Sequence, residues 1–231
     1  MREDVALGTN KTDAAQRSAA EIETGQAVYQ PWVLRLYDLF VHGLSNRLLW
    51  RMPTADLQAL FDNHVGQRHL DIGVGTGFFI DRLAPRSVSP KITLVDLNPT
   101  CLAHAAARLA RFEPRKIEAN ALAPMDLPGP FDSASLCYLL HCMPGDITEK
   151  AAVFDHVKPH LAPGAPVFGA TILQGDAPRN WGARQLMAFY NRRGIFSNTE
   201  DRHRDLHSAL EARFETVDTR VIGCVGLFVA R

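Results

Sequence analysis

Apolar residues change their spacing twice along this chain. From Ala27 to Leu44, the residues Val33, Leu34, Leu36, Tyr37, Phe40 and Val41 recur at three- and four-residue steps, which predicts a helix with one buried face. Ser45 is placed to cap a short helix through Trp50. Thr54 is placed to cap another, whose Leu57, Leu60, Phe61 and His64 share a face. Beyond residue 66 short apolar runs alternate with helical patterns, at His69–Gly73, Lys91–Asp96, Arg115–Ala119, Asp132–Leu140 and Pro166–Leu173. Strands separated by helices predict a parallel sheet covered on both faces. Asn98-Pro99 opens one intervening helix, and Asp146 with Glu149 opens another, which Pro159 should distort or end.

The C-terminal third is patterned differently. Residues 174–200 carry Gly175, Pro178, Gly182 and Gly194 around a helical patch at Leu186–Tyr190, a long excursion between core elements of the kind that tends to carry function. Thr199 should start a helix with Leu206, Leu210 and Phe214 on one side. Thr216–Ile222 and Gly226–Val229 then read as an antiparallel pair about Gly223. At the other end, residues 1–25 offer only Val5, Leu7 and Ile22 as large apolar side chains, so they should form a mobile tail or a helix that orders against something else. The chain divides into a tail and helical lid over 1–65 and a core over 66–231, with an insertion at about 174–200 that caps a substrate.

Composition narrows the function. The chain has 231 residues, 46% hydrophobic and 22% charged, as an ordinary globular domain does. Lys and Arg number 25 and so do Asp and Glu, so no general positive field exists to hold nucleic acid or an anionic membrane. Cys101, Cys137, Cys142 and Cys224 form no C-x-x-C pair, and no run of about 18 apolar residues occurs. The expectation is a soluble, unexported protein of the reducing cytoplasm, with oligomeric state open.

The strongest chemical signal is Asp71-Ile72-Gly73-Val74-Gly75-Thr76-Gly77, where the first strand gives way to a helix bearing Phe78, Ile80 and Leu83. Glycines at such a corner let a ligand lie against bare peptide at the carboxyl edge of the sheet. A dinucleotide fingerprint would want glycines at 73, 75 and 78, but residue 78 is Phe.

This stretch resembles the first motif of the Rossmann-like (class I) methyltransferases that use S-adenosylmethionine, and the resemblance runs by motif order through residues 66–172. It implies an α/β fold with a seven-stranded, mostly parallel sheet, a C-terminal antiparallel strand, helices on both faces and an N-terminal helical lid. It also implies that Asp71, Gly73, Gly75 and Gly77 cradle the cofactor, that Asp96 takes the ribose hydroxyls, and that Leu97 packs on the adenine. Asn120-Ala121 stands where the family often has Asp-Ala at the adenine edge. Leu140-His141-Cys142-Met143-Pro144 resembles the family's L-H-x-x-P stretch, and Leu161-Ala162-Pro163-Gly164 its L-x-P-G turn. Tyr37 and Arg51 are candidate donors to the methionine carboxylate. His141 is a candidate catalytic base, with a structural hydrogen bond as the alternative.

Amino methylation of adenine or glutamine in this fold goes with an Asn/Asp-Pro-Pro-aromatic run, and cytosine chemistry with a Pro-Cys nucleophile; neither is present. Leu139 and Leu140 stand where metal-assisted catechol methylation would need carboxylates, so no metal is expected. What remains is methyl transfer to O, N or C of a small-molecule acceptor, with secondary metabolites among the candidates. The acceptor would be housed by aromatic residues of the N-terminal helices (Tyr29, Trp32, Tyr37, Trp50) and of the insertion (Trp181, Phe189, Tyr190, Phe196). The alternatives are a methyltransferase-like binding protein without turnover and a NAD-type oxidoreductase.

Overall fold

The computed structural model describes residues 48–85 and 87–231. The expected tail and most of the expected lid, including Tyr37, lie outside the described residues. Helix α1 (Thr54–His64) enters from Pro53, which holds the N-cap position, so Thr54 is the first helical residue and not the cap. It buries Leu57, Leu60 and Phe61, the face that the spacing predicts.

Seven strands follow: β1 (Arg68–Ile72), β2 (Lys91–Asp96), β3 (Arg115–Glu118), β4 (Ser133–Cys137), β5 (Val167–Ile172), β6 (Val217–Ile222) and β7 (Val225–Ala230). They form one sheet in the order β3-β2-β1-β4-β5-β7-β6. The first five are parallel, and β7 runs antiparallel to both β5 and β6. The chain winds outward from β1 in one direction and from β4 in the other, which opens a crevice at the carboxyl ends of these two strands. The fourth strand is shorter than its apolar run. It stops at Cys137 because Tyr138 turns to φ 59° and a single 3₁₀ turn follows at Leu140–Cys142.

Among the described residues the other α-helices are α2 (Phe78–Asp81), α3 (Pro99–Arg108), α4 (Ile147–Lys150), α5 (Ala152–Val157), α6 (Trp181–Arg192) and α7 (His203–Glu211). The Asn98 side chain accepts from the N–H groups of Thr100 and Cys101, and Asp146 with Glu149 closes a capping box on α4. Pro159 sits in a 3₁₀ turn that ends the helical run after α5. Core side chains fall into two sets. Phe61, Phe79, Leu102 and Phe168 belong to one, and Leu70, Leu136, Phe154 and Phe228 to the other, so both faces of the sheet are covered.

Helix α7 begins at His203, four positions later than the expected Thr199 start. The delay has a physical cause. Lys150 Nζ, with its side chain wholly buried, binds both oxygens of the equally buried Asp201 at 2.8 and 2.7 Å and also donates to the Ser197 carbonyl. Asp201 is thereby held in the loop, where its own carbonyl accepts from the N–H groups of Gln174 and Gly175.

Candidate active site

The glycine corner follows β1 directly. Gly73, Gly75 and Gly77 take φ 71°, 52° and 72°, a region that side-chain-bearing residues rarely occupy. Their surroundings differ. A Cβ on Gly73 would meet Leu139 Cδ1 at 2.6 Å and one on Gly77 would meet Leu109 Cδ1 at 3.1 Å, so a side chain at either position would have to displace a leucine. A Cβ on Gly75 would meet nothing within 4 Å. Gly75 is among the residues lining a cavity of about 190 Å³, many times what one water needs.

Strand ends line this cavity. Asp71 and the glycine corner come from β1, Asp96 and Leu97 from β2, Asn120 and Ala121 from the loop after β3, and Cys137, Tyr138 and Leu139 from β4. The insertion adds Ile195. The lining thus brings together every residue that the sequence assigns to the cofactor except Arg51 and Tyr37. Tyr37 is outside the described residues, and both Arg51 and the candidate base His141 stand outside the lining. Arg51 sits at φ 55° against Gly223, in the turn between β6 and β7.

The charge of the lining discriminates between ligands. Its charged side chains are Asp71 and Asp96, and no Lys, Arg or His joins them among the described lining residues. A cationic sulfonium ligand suits two carboxylates, whereas a pyrophosphate would face like charge. Burial raises the pKa of Asp71 to about 7, opposed by the hydrogen bond from Ser135. Burial also pushes Asp96 upward, opposed by backbone N–H groups of Asn98, Val74, Gly75 and Leu97. Asp96 therefore ties the glycine corner to the end of β2. Asn120 Oδ1 accepts from Leu122 N at 3.0 Å, which fixes the side chain while leaving its carbonyl a second lone pair.

His141 is 3% exposed and packs edge-on against Phe196, ring centroids 4.5 Å apart. Its Nδ1 accepts from the Ile172 N–H at 3.4 Å, and its carbonyl accepts from Ser197 N at 2.8 Å. Burial, with the Lys150 charge nearby, lowers its pKa to about 3. This is the setting of the structural alternative: the imidazole is kept neutral and ties the 3₁₀ turn to β5 and to the insertion. Because the unfolded imidazole takes up a proton below about pH 6.5 and the folded one does not, its contribution is full above that pH and is lost as the pH falls toward 3. His141→Gln should therefore cost about 1–3 kcal/mol at pH 7.5, and the gap in thermal stability from the parent should narrow at pH 5.

A second recess adjoins the cavity and shares Cys142 and Pro144 with it. Gly145, Asp146, Asn191, Phe196 and Ser197 form part of its wall, so the insertion and the turn after β4 build it together. Phe196 lies 6.3 Å from Trp50, whereas Trp181 and Phe189 point to solvent, 72% and 42% exposed. Tyr29, Trp32 and Tyr37 of the expected aromatic enclosure lie outside the described residues. Cys137 in the cavity wall has its thiol pushed strongly up by burial, as expected of a packing residue and not of a nucleophile.

Residues 70–167 match the family model described as a methyltransferase domain. The demethylluteothin O-methyltransferase of Streptomyces thioluteus is 40% identical over 211 residues, covering 91% of this chain and 92% of that protein. The physcion biosynthesis cluster O-methyltransferase of Aspergillus chevalieri is 40% identical over 212 residues, covering 90% and 95%. The N-methyltransferase NodS of Bradyrhizobium japonicum WM9, solved with S-adenosyl-L-homocysteine, shares the fold at TM-score 0.57 and 18% identity, covering 92% of this chain and 96% of that one. The chain belongs to the S-adenosylmethionine-dependent methyltransferases. Among the described residues no helix is long and apolar enough to cross a membrane.

Proposed function

We propose that this enzyme transfers the methyl group of S-adenosylmethionine to a hydroxyl oxygen of a small organic acceptor, of the secondary-metabolite type suggested by the names of its relatives. The observation that carries the cofactor's placement is the open face of Gly75 in a cavity whose charged groups are two carboxylates. Bound there, the cofactor supplies an electrophilic methyl carbon on a sulfonium. The chain's own residues bind, orient and exclude water. Asp96 would accept from the ribose hydroxyls, as a carboxylate does from a vicinal diol. Leu97 and Ala121 would flank the adenine, and Asn120 would accept from its amine through the remaining lone pair.

The acceptor would approach through the recess shared at Cys142 and Pro144, held beneath Phe196 and Ile195 of the insertion. Alignment of the acceptor oxygen with the methyl carbon would supply much of the rate. His141 would position this wall and would not take the proton. Asp96→Ala should weaken S-adenosylhomocysteine binding by about 1.5–3 kcal/mol, measured by calorimetry with thermal unfolding followed alongside. An unchanged affinity in a folded variant would show that Asp96 serves only the glycine corner.

A further inference from the structure

Four side chains below the cavity form a buried polar ladder that no role above requires. In β1, His69 and Asp71 are two residues apart and so share a face, and β4 places Ser133 and Ser135 opposite them in register. His69 and both serines are fully buried, and Asp71 is 5% exposed. The hydrogen bonds can be followed atom by atom. Gly66 N donates to Ser133 Oγ at 2.8 Å, His69 Nδ1 lies 2.7 Å from Ser133 Oγ, His69 Nε2 lies 3.0 Å from Ser135 Oγ, and Ser135 donates to Asp71 Oδ1.

With a neutral His69 ring, an ionised Asp71 admits one assignment of protons. The Ser135 hydroxyl proton goes to the carboxylate, so Ser135 Oγ must accept the His69 Nε2–H. His69 Nδ1 is then bare and accepts the Ser133 hydroxyl proton, while Ser133 Oγ accepts from Gly66 N. Every donor in the row points toward the cavity. The ring of His69 is also held by Phe168, nearly parallel at 21° and 5.8 Å between centroids, so the imidazole cannot rotate without disturbing the core.

We propose that His69, with Ser133 and Ser135, is a positioning residue for the cofactor site: the row holds the Asp71 carboxylate ionised and fixed in direction, ready for the cationic methionine end of the cofactor. This deepens the cofactor placement proposed above and rests on it. Burial alone would favour a neutral Asp71, and a polarised row of hydrogen bonds ending on the carboxylate is what opposes that. Without the row the carboxyl group would have to gain a proton or turn toward water, and either change removes the fixed charge.

The test uses the full-length protein and four variants, His69→Phe, His69→Gln, Asp71→Asn and the His69→Phe/Asp71→Asn pair, with S-adenosylhomocysteine affinity and thermal unfolding measured on each. Two-bond ¹H–¹⁵N spectra of the parent without ligand should show His69 as the neutral Nε2–H form. His69→Phe should weaken binding about 10-fold, the worth of about one hydrogen bond, here the one from His69 Nε2–H to Ser135. His69→Gln, which can still donate toward Ser135, should recover part of that. In the Asp71→Asn background, His69→Phe should cost little further affinity, because its action passes through the carboxylate. Folded His69→Phe protein with parent affinity, losses that multiply in the pair, or an Nδ1–H tautomer would each overturn the assignment. A parent protein that binds no S-adenosylhomocysteine would instead overturn the cofactor placement on which it rests.

Discussion

Gly75→Val should weaken S-adenosylhomocysteine binding by about 100-fold or more, equivalent to nearly 3 kcal/mol, while leaving the sheet folded. Two effects combine at this position. Valine is strained at φ 52°, at a cost on the order of 1–3 kcal/mol, and its side chain would add bulk to the open surroundings of a residue that lines the cavity. Gly164→Val separates the two. Gly164 also has a positive φ, 71°, and a Cβ placed on it would meet nothing within 4 Å, but it lies in the turn before β5 and outside the cavity lining. It should lose comparable thermal stability and keep the parent's affinity. Equal losses of affinity in the two variants would mean that strain, and not occupation of the cavity, is being measured.

Lys150→Ala should cost about 3–5 kcal/mol of folding free energy, because it leaves the Asp201 carboxylate buried without its partner. Asp201 is already pushed up to about 6 by burial despite the Lys150 charge. Without the lysine it would have to take up a proton, bring in water or leave its place. The loop 197–201 would be released with it, and with that loop the Asn198 amide that donates to the Ile172 carbonyl at 2.9 Å. Replacing both partners, Lys150→Met with Asp201→Leu, should recover most of the loss in chemical denaturation, since the unpaired charge and not the absent pair carries the penalty. A single variant as stable as the parent would show that the pair is not what pins the insertion to the core.

The strand and helix pattern is legible in the sequence because its signals are local. Asn98-Pro99, the Asp146/Glu149 capping box and the run Lys91–Asp96 each carry their own start and stop, and the glycine corner announces a ligand by its spacing. The cavity lining follows from the resemblance that those motifs carry. What escapes is long-range. Nothing within four residues of Thr199 says that Lys150 will hold Asp201 in a loop, so local spacing starts α7 too early. His141 suits chemistry and packing equally well until its burial against Phe196 and β5 is known. The ladder is half visible: the alternations His69-Leu70-Asp71 and Ser133-Ala134-Ser135 put polar residues on one face of two strands, but their pairing depends on β4 lying beside β1 in that register.

A cofactor held against Gly75 should deliver its methyl group to a small acceptor that reaches it from the insertion side. The direct measurement incubates the full-length enzyme with S-adenosylmethionine deuterated in its methyl group and a panel of small hydroxylated aromatic compounds, with matched amines as a second arm, and reads the products by mass spectrometry. The expected result is an acceptor that gains one labelled methyl on oxygen, in step with formation of S-adenosylhomocysteine. Labelled methyl on nitrogen alone would contradict the oxygen assignment, and tight cofactor binding with no labelled product in either arm would contradict transfer to this class of acceptor.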